Sequence, residues 1–222
     1  MAGLFVADNL MPCPFETTMK RFFDVFFASV ALALMMPLAL LIAIGIKLDS
    51  RGPVLVRPHR VGRNGRMVKI FAFRTAIADA ADAMETVGGC HGEEMTRAGA
   101  VLRRSALARL PILINVLRGD LSLVGPRAEL PRYVGCYPTA MRKLVLSIKP
   151  GLVDLASIEF RAEQDMLAGL EGEALEETYV DKVLPIKLAC AQRYMEGRGI
   201  WMDLRIIMLF VTFGLVPNKQ VA

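Results

Sequence analysis

The chain has 222 residues, 54% of them hydrophobic and 22% charged, with a formal net charge of +5 and a mean hydropathy of +0.42. That balance is too apolar for an ordinary soluble domain and too charged for a polytopic bundle, so part of the chain meets lipid and the rest is folded in water. The positive charge suits a phosphate-bearing partner, a lipid or a nucleotide; nucleic acid is excluded, because aromatics at 7% show no stacking pattern and no nucleic-acid motif occurs.

In chain order, the first feature is the uncharged run 25–46 (VFFASVALALMMPLALLIAIGI). At ~1.5 Å per residue it is long enough for a hydrocarbon core of roughly 30 Å. Pro37 in its middle removes a backbone hydrogen bond and predicts a kink or break at Met36-Pro37. Basic residues flank both ends (Lys20 and Arg21 before, Lys47, Arg51 and Arg57 after), whereas a spanning helix places its basic flank on one side. Two readings remain open: a kinked span, or a re-entrant hairpin whose first arm is ~18 Å long. The run follows Lys20-Arg21 and has no cleavage-type site, so it does not read as a secretion signal.

Beyond it, 54–57 and 67–73 predict short strands around the turn Arg63-Asn64-Gly65. Residues 77–84 predict a short helix, and 87–94 (VGGCHGEE) a connector without P-loop spacing. The stretch 95–117 has helical spacing interrupted by Pro111, with Leu110, Leu113, Ile114 and Leu117 as the expected buried stripe. Residues 118–127 predict a compact loop, 141–147 a basic helix, Pro150-Gly151 a turn, and 175–195 an amphipathic helix kinked at Pro185. The segment 200–216 is apolar apart from Asp203 and Arg205, and suits either an interfacial helix or a buried one. Cys13, Cys90, Cys136 and Cys190 are scattered, with no CxxC or metal spacing, which points to reduced cytosolic thiols.

Arginine is the informative residue type. Arg60, Arg74, Arg103, Arg104, Arg118 and Arg127 lie at turns and helix starts, where a guanidinium fork and nearby backbone N–H groups suit phosphate. The segments KRFFD (20–24), HRVGRNG (59–65), FRT (73–75), TRAG (96–99), LRR (102–104), LP (110–111), NVLRGDLSLVGPR (115–127) and KPG (149–151) resemble, in order, the motifs of the monotopic phosphoglycosyl transferases, or bacterial sugar transferases. The likeness runs from about Met19 to Val216.

The resemblance implies a mainly helical α+β fold: an N-terminal tail (1–18), a re-entrant membrane helix broken at Met36-Pro37 (19–48), and a cytosolic sugar-transferase-like domain (49–222) with a C-terminal interfacial helix. It places the chain on the cytosolic face of the bacterial inner membrane. It implies transfer of a phosphosugar from a UDP-sugar to polyprenyl (undecaprenyl) phosphate with release of UMP, in exopolysaccharide or glycoconjugate assembly. An Asp-Glu pair and Mg²⁺ do this work in the family, the Asp attacking the sugar-linked phosphate. Phosphate or nucleotide binding would fall to Arg60, Arg74, Arg104, Asn115, Arg118, Asp120, Pro126 and Arg127.

The pair belongs in the pattern LRRxSLDELP, and residues 102–111 read LRRSALARLP. Counting from Asn115 leaves no gap, so Ala108 and Arg109 stand at the Asp and Glu positions. Alanine supplies no nucleophile, and arginine repels Mg²⁺. Further on, 151–157 (GLVDLAS) is similar to a Thr-Asp-x-Ala-Ser variant, with Val153 at the Thr position. Two functional classes follow: a transferase with another nucleophile, or an inactive relative that scaffolds or regulates an active transferase or associates with its own kind. A sensor that binds a UDP-sugar without turnover needs only the arginines.

Overall fold

The computed structural model describes residues 14–76, 96–105, 107–160, 163–167, 169–170 and 172–213. The expected helix at 77–84 and connector at 87–94 lie outside them.

Helix α1 (Pro14–Asp49) carries the apolar run, with Pro37 inside it. The chain therefore stays helical past the point where a break was expected, and 36 residues give ~54 Å of helix. Both of its ends are tied to the same folded body. At the first, Arg21 donates to the carbonyls of Val116 and Leu117 (2.5 and 2.7 Å). Asp24, buried, accepts from Ser122 Oγ (2.8 Å) and Leu123 N–H (3.1 Å). Lys20 pairs with Asp203 and donates to Val124 O and Tyr194 Oη, each at 3.2 Å. At the other end Ile46 is buried against Phe73 and Leu102. Between these anchors the outer side is bare: Phe22, Leu34 and Leu41 are about 70% exposed (72%, 69% and 67%).

Strands β1 (Leu55–Val56), β2 (His59–Val61), β3 (Met67–Lys69) and β4 (Ala72–Phe73) form two antiparallel pairs, β1 with β4 and β2 with β3. The turn falls where expected, at Arg63–Gly65, with Asn64 at φ 57° and Gly65 at φ 75°. Asparagine and glycine tolerate this left-handed region, so the local sequence selects the turn.

Helix α2 (Arg97–Arg104) starts on Thr96, whose Oγ1 accepts from Gly99 N–H (2.9 Å), an ordinary N-cap. A single 3-10 turn (Leu107–Arg109) leads to Pro111 and α3 (Ile112–Arg118). The expected stripe is displaced. Leu113, Asn115 and Val116 are buried, while Leu110 and Leu117 pack at the core margin. Asn115 can occupy the deepest position because its amide is answered there: Oδ1 accepts from Phe71 N–H (2.9 Å) and Nδ2 donates to Lys69 O (2.8 Å). A buried amide so satisfied costs little.

Strand β5 (Ser122–Val124), α4 (Pro131–Gly135), α5 (Thr139–Leu146) and β6 (Gly151–Val153) follow. β5 and β6 pair in parallel, which corrects the expectation of a loop at 118–127 and a turn at Pro150-Gly151. Three-residue strands buried on both faces show no alternation to read. The close approach explains two glycines: a Cβ on Gly151 would meet Gly125 N at 2.2 Å.

Helices α6 (Leu155–Glu159), α7 (Glu163–Leu167), α8 (Gly172–Thr178), α9 (Leu184–Gly197) and α10 (Ile200–Phe213) complete the described chain. A π-helical segment, Tyr179–Val183, joins α8 to α9 immediately before Pro185. The missing proline N–H is accommodated by that shift in register, where a kink was expected. α10 buries Asp203 and Ile206 and exposes Trp201, Met208 and Val211. The fold is thus mainly helical α+β with one long apolar N-terminal helix. Among the described residues its core has two larger parts, one around Val116, Val124, Val153 and Ile206 and one around Tyr133, Leu175, Tyr179 and Val183, and a small third around Ile46, Phe73 and Leu102.

Candidate active site

The two larger core regions meet along a narrow, open cleft whose polar lining includes Arg127, Glu129, Asp154 and Lys187. Three local features position these groups. Arg127 and Glu129 follow β5 on the segment Gly125-Pro126, which is fixed by Gly151 N–H donating to Pro126 O (2.9 Å) and by a bridge from Arg127 to Gly151. β2 docks on the same segment through Val61 N–H to Glu129 O (2.9 Å), which brings Arg60 alongside. Asp154 leaves the end of β6 and accepts from Ser157 Oγ at the start of α6. From α9, Lys187 reaches Glu163 (2.7 Å), Glu129 (3.5 Å) and Tyr179 Oη (3.1 Å).

Arg109 enters from the 3-10 turn. The residue is solvent-exposed. The like charge of Arg127 and burial, with a further contribution from Arg60, pull its pKa from 12.5 down to about 9, against Asp154 and Glu163. It remains cationic at neutral pH. Arg127 responds in the opposite sense: burial would lower its pKa, but Glu129, Asp154 and Glu163 outweigh burial and raise it. The two partners differ because Arg127 stands beside Glu129, whereas Arg109 meets mainly repulsion. Burial would raise the Glu129 pKa, but Lys187, Arg127, the Tyr179 hydroxyl and Arg60 hold it below the usual carboxylate range. Burial and Glu129 together push the Tyr179 phenol upward. The cleft therefore presents fixed positive charge with ionised carboxylates, and is suited to bind an anion.

Comparison with known proteins identifies the family. The profile of the bacterial sugar transferase family matches residues 15–216. The chain belongs to the bacterial sugar transferase family. Among curated relatives, the UDP-glucose:undecaprenyl-phosphate glucose-1-phosphate transferase of Klebsiella pneumoniae is 33% identical over 204 residues, 90% of this chain and 41% of the relative. The protein of that name from Caulobacter vibrioides is 34% identical over 202 residues, 85% of this chain and 67% of the relative. The exopolysaccharide production protein PSS of Rhizobium leguminosarum bv. phaseoli is 32% identical over 221 residues, 92% of this chain and 98% of the relative. The chain thus spans about two fifths of the Klebsiella protein and nearly all of the Rhizobium one.

Of the residues singled out as phosphate-binding, Pro126 and Arg127 line the cleft; Arg60 and Arg109 are not among its lining residues and reach it only through the electrostatic influence of Arg127. Arg74 is elsewhere and buried; it donates to Arg51 O (2.8 Å), Ser50 O (3.0 Å) and Ser50 Oγ (2.6 Å), closing the C-terminal end of α1. Gly52, at φ +135°, accommodates it, since a Cβ there would lie 2.1 Å from Arg74 Nη1. Asn115 and Asp120 form an internal bracket (3.3 Å) between α3 and β3. Arg118 lies over the Phe71 ring (4.6 Å), as does Arg57 (4.7 Å). Arg104 is in α2, and its side chain lies outside the described residues. Met36 and Pro37 are exposed on α1.

Four charged groups at or beside the cleft were missed, the first of them Glu129, two positions past Arg127. Asp154 lay in the GLVDLAS segment, which already stood out against the motif and could have been singled out. Glu163 and Lys187 carried no local signal, being ordinary charges on amphipathic helices. Ala108 packs at the edge of the Phe73–Leu102 cluster and offers neither a ligand atom nor a nucleophile. Among the described residues no three His, Cys, Asp or Glu side chains gather to hold a metal ion. The dyad positions themselves offer a divalent cation no oxygen ligand, since Ala108 has none and Arg109 carries a like charge.

Proposed function

We propose that this protein is a bacterial sugar transferase of exopolysaccharide or glycoconjugate assembly that binds a UDP-sugar at the arginine cleft but has lost the carboxylate chemistry of phosphosugar transfer to polyprenyl phosphate. The observation that carries this reading is the pairing of Ala108, which lacks a nucleophile, with Arg109, which adds a cation to Arg127 and Arg60. The binding frame is retained and the reacting group is not. A carboxylate divides phosphoryl transfer into two displacements, and no substitute for it follows from removing both members of the dyad.

The membrane is the second half of the reading. The exposed apolar side of α1 and the exposed Trp201, Met208 and Val211 of α10 suit lipid contact. The polar anchors at both ends of α1 bind one folded body, which supports a monotopic arrangement with Pro37 near its deepest point and the domain on the cytosolic face of the inner membrane. A spanning helix would put those anchors on opposite sides of the bilayer.

The test is UMP release by the purified full-length protein with undecaprenyl phosphate and a panel of UDP-sugars. The expected result is no release by the natural chain and measurable release by the Ala108→Asp/Arg109→Glu variant. Release by the natural chain would show that another carboxylate serves. A scaffold for an active transferase is the second reading, favoured by the intact anchors around an altered dyad; co-purification with a pathway enzyme that persists in the same double variant would support it.

A further inference from the structure

We propose that Lys149 and Arg63, backed by Arg21, form a headgroup site for the phosphate of an acidic phospholipid. The inference rests on the reading that α1 lies in the membrane, and it names what the domain binds at that surface.

The geometry starts at Gly119, which ends α3 at φ +88°. A Cβ there would meet Arg21 Nη2 at 3.2 Å and Lys149 Nζ at 3.6 Å. A cation from α1 and one from the segment before β6 thus share one small space, which a glycine leaves open. Arg63, on the turn between β2 and β3, donates from Nε to Ser147 O (2.9 Å), two positions before Lys149. Burial, then Arg21 and Arg63, pull the Lys149 pKa below its usual value against Asp24 and Asp120, in keeping with that crowding.

The acceptors nearby are already engaged. Asp24 accepts from Ser122 Oγ and Leu123 N–H, and Asp120 accepts from Asn115 Nδ2. Arg21 is committed to the carbonyls of Val116 and Leu117. Among the described residues no carboxylate forms an ion pair with Arg21, Arg63 or Lys149. Arg63 is exposed and Lys149 half-buried, so an anion from outside can reach both. Like charges gathered in this way are stabilised by an anion placed among them. Phosphate suits a guanidinium fork beside an ammonium.

The surroundings select a lipid. Phe22 follows Arg21 directly, and the exposed Phe22, Phe26, Val30 and Leu34 recur at every fourth position of α1. Basic groups beside aromatic rings mark a membrane–water interface, and the apolar row beyond them offers acyl chains a surface. The cluster lies past the C-terminal end of α3, whereas Ala108 and Arg109 lie before its first residue. The site is therefore separate from the dyad positions.

The experiment measures the unfolding temperature of the full-length protein in neutral detergent, titrated with dioctanoyl phosphatidylglycerol, dioctanoyl phosphatidylcholine or inorganic phosphate; a ligand of the folded state raises it. The proposal expects phosphatidylglycerol to act at about tenfold lower concentration than phosphatidylcholine, with the difference shrinking at high salt. Lys149→Gln and Arg63→Gln should each weaken phosphatidylglycerol about fivefold. Arg63→Gln changes an exposed residue and keeps the test open if Lys149→Gln fails to fold. Arg193→Gln, which removes an equal charge from the Glu159 pair on α9, should leave the response unchanged. Equal response to the two lipids overturns the site, as does an equal loss in Arg193→Gln. Inorganic phosphate as effective as phosphatidylglycerol overturns the lipid assignment. Reconstitution into phosphatidylcholine nanodiscs tests the underlying reading separately: a folded chain that enters no bilayer overturns both.

Discussion

Two sets of arginines in this protein look alike in sequence and differ in what faces them. Arg21 and Arg74 point at helix ends, where carbonyls lack intrahelical partners; they donate to Val116 and Leu117 in one case and to Ser50 and Arg51 in the other. Arg109 and Arg127 repel each other and are drawn by a group of carboxylates, and Arg127 lines an open cleft. The first set joins the long apolar helix to the domain, and its ligands are already in the chain. The second carries surplus charge and needs a ligand from outside. Neighbouring glycines do not distinguish the sets: Gly52 makes space for Arg74, and Gly125 precedes Arg127 by two positions. What an arginine does here is decided by the acceptor opposite it, and acceptors are brought together only by the fold.

The sharpest way to break this comparison is Arg74→Ala. It strips the donors from two backbone carbonyls and one hydroxyl at a buried site. A loss of about 3 kcal/mol or more is expected, since hydrogen bonds from charged groups contribute roughly 1.5–3 kcal/mol. The unfolding temperature in nanodiscs should fall by roughly 6–12 °C at this chain length. Arg74→Lys should recover little, because a single ammonium cannot reproduce the fork. An unchanged unfolding temperature in Arg74→Ala would put that residue back among the ligand-binding arginines.

Much of the fold was legible before the structure, for reasons that particular residues make clear. Asn64-Gly65 specifies its turn by backbone conformation alone, and the uncharged run 25–46 specifies apolar helix by composition, although the chain stays helical through the Met36-Pro37 step where a break was expected. Pro185 marked the irregularity now seen as the π segment at Tyr179–Val183. The parallel pair β5–β6 was not legible, because it unites segments nearly thirty positions apart with three residues each. The same limit applied to the cleft. Arg60, Pro126 and Arg127 were accessible through their motifs, but Lys187 and Glu163 become site residues only when α7 and α9 pack beside Glu129. The stripe read as Leu110, Leu113, Ile114 and Leu117 left out Asn115, whose partners at Phe71 and Lys69 lie inside.

A smaller effect sharpens the comparison through pH. Glu129 is held below the ordinary carboxylate pKa, chiefly by Lys187 and Arg127 against the opposing effect of burial. A group whose folded pKa is depressed contributes stability above its unfolded value, and that contribution is lost as pH falls through the folded one. Glu129→Gln should therefore cost about 1–2 kcal/mol at neutral pH. The gap to the natural chain should close on acidification from the normal carboxylate range downward. Thermal unfolding across that range measures it, and a gap independent of pH would mean that Glu129 is not ionised against Lys187. Glu163 at 2.7 Å keeps Lys187 paired in the variant, which is why the expected cost stays below that of Arg74→Ala.

The smallest effect is the most pointed, because its sign differs from the others. Arg109→Gln removes a charge that its strongest neighbour, Arg127, repels. The side chain is exposed, so truncating the charge leaves no buried cavity and desolvates nothing new. Stability of the ligand-free protein should change by less than about 1 kcal/mol, with a rise rather than a fall, as exposed charge changes generally do when they relieve like-charge contact. The same substitution should weaken UDP-sugar binding. A structural arginine cannot give that combination, since losing it would lower stability first and binding only as a consequence. If Arg109→Gln unfolds at a clearly lower temperature than the natural chain, Arg109 belongs with Arg21 and Arg74, and the cleft has one cation fewer to offer a ligand.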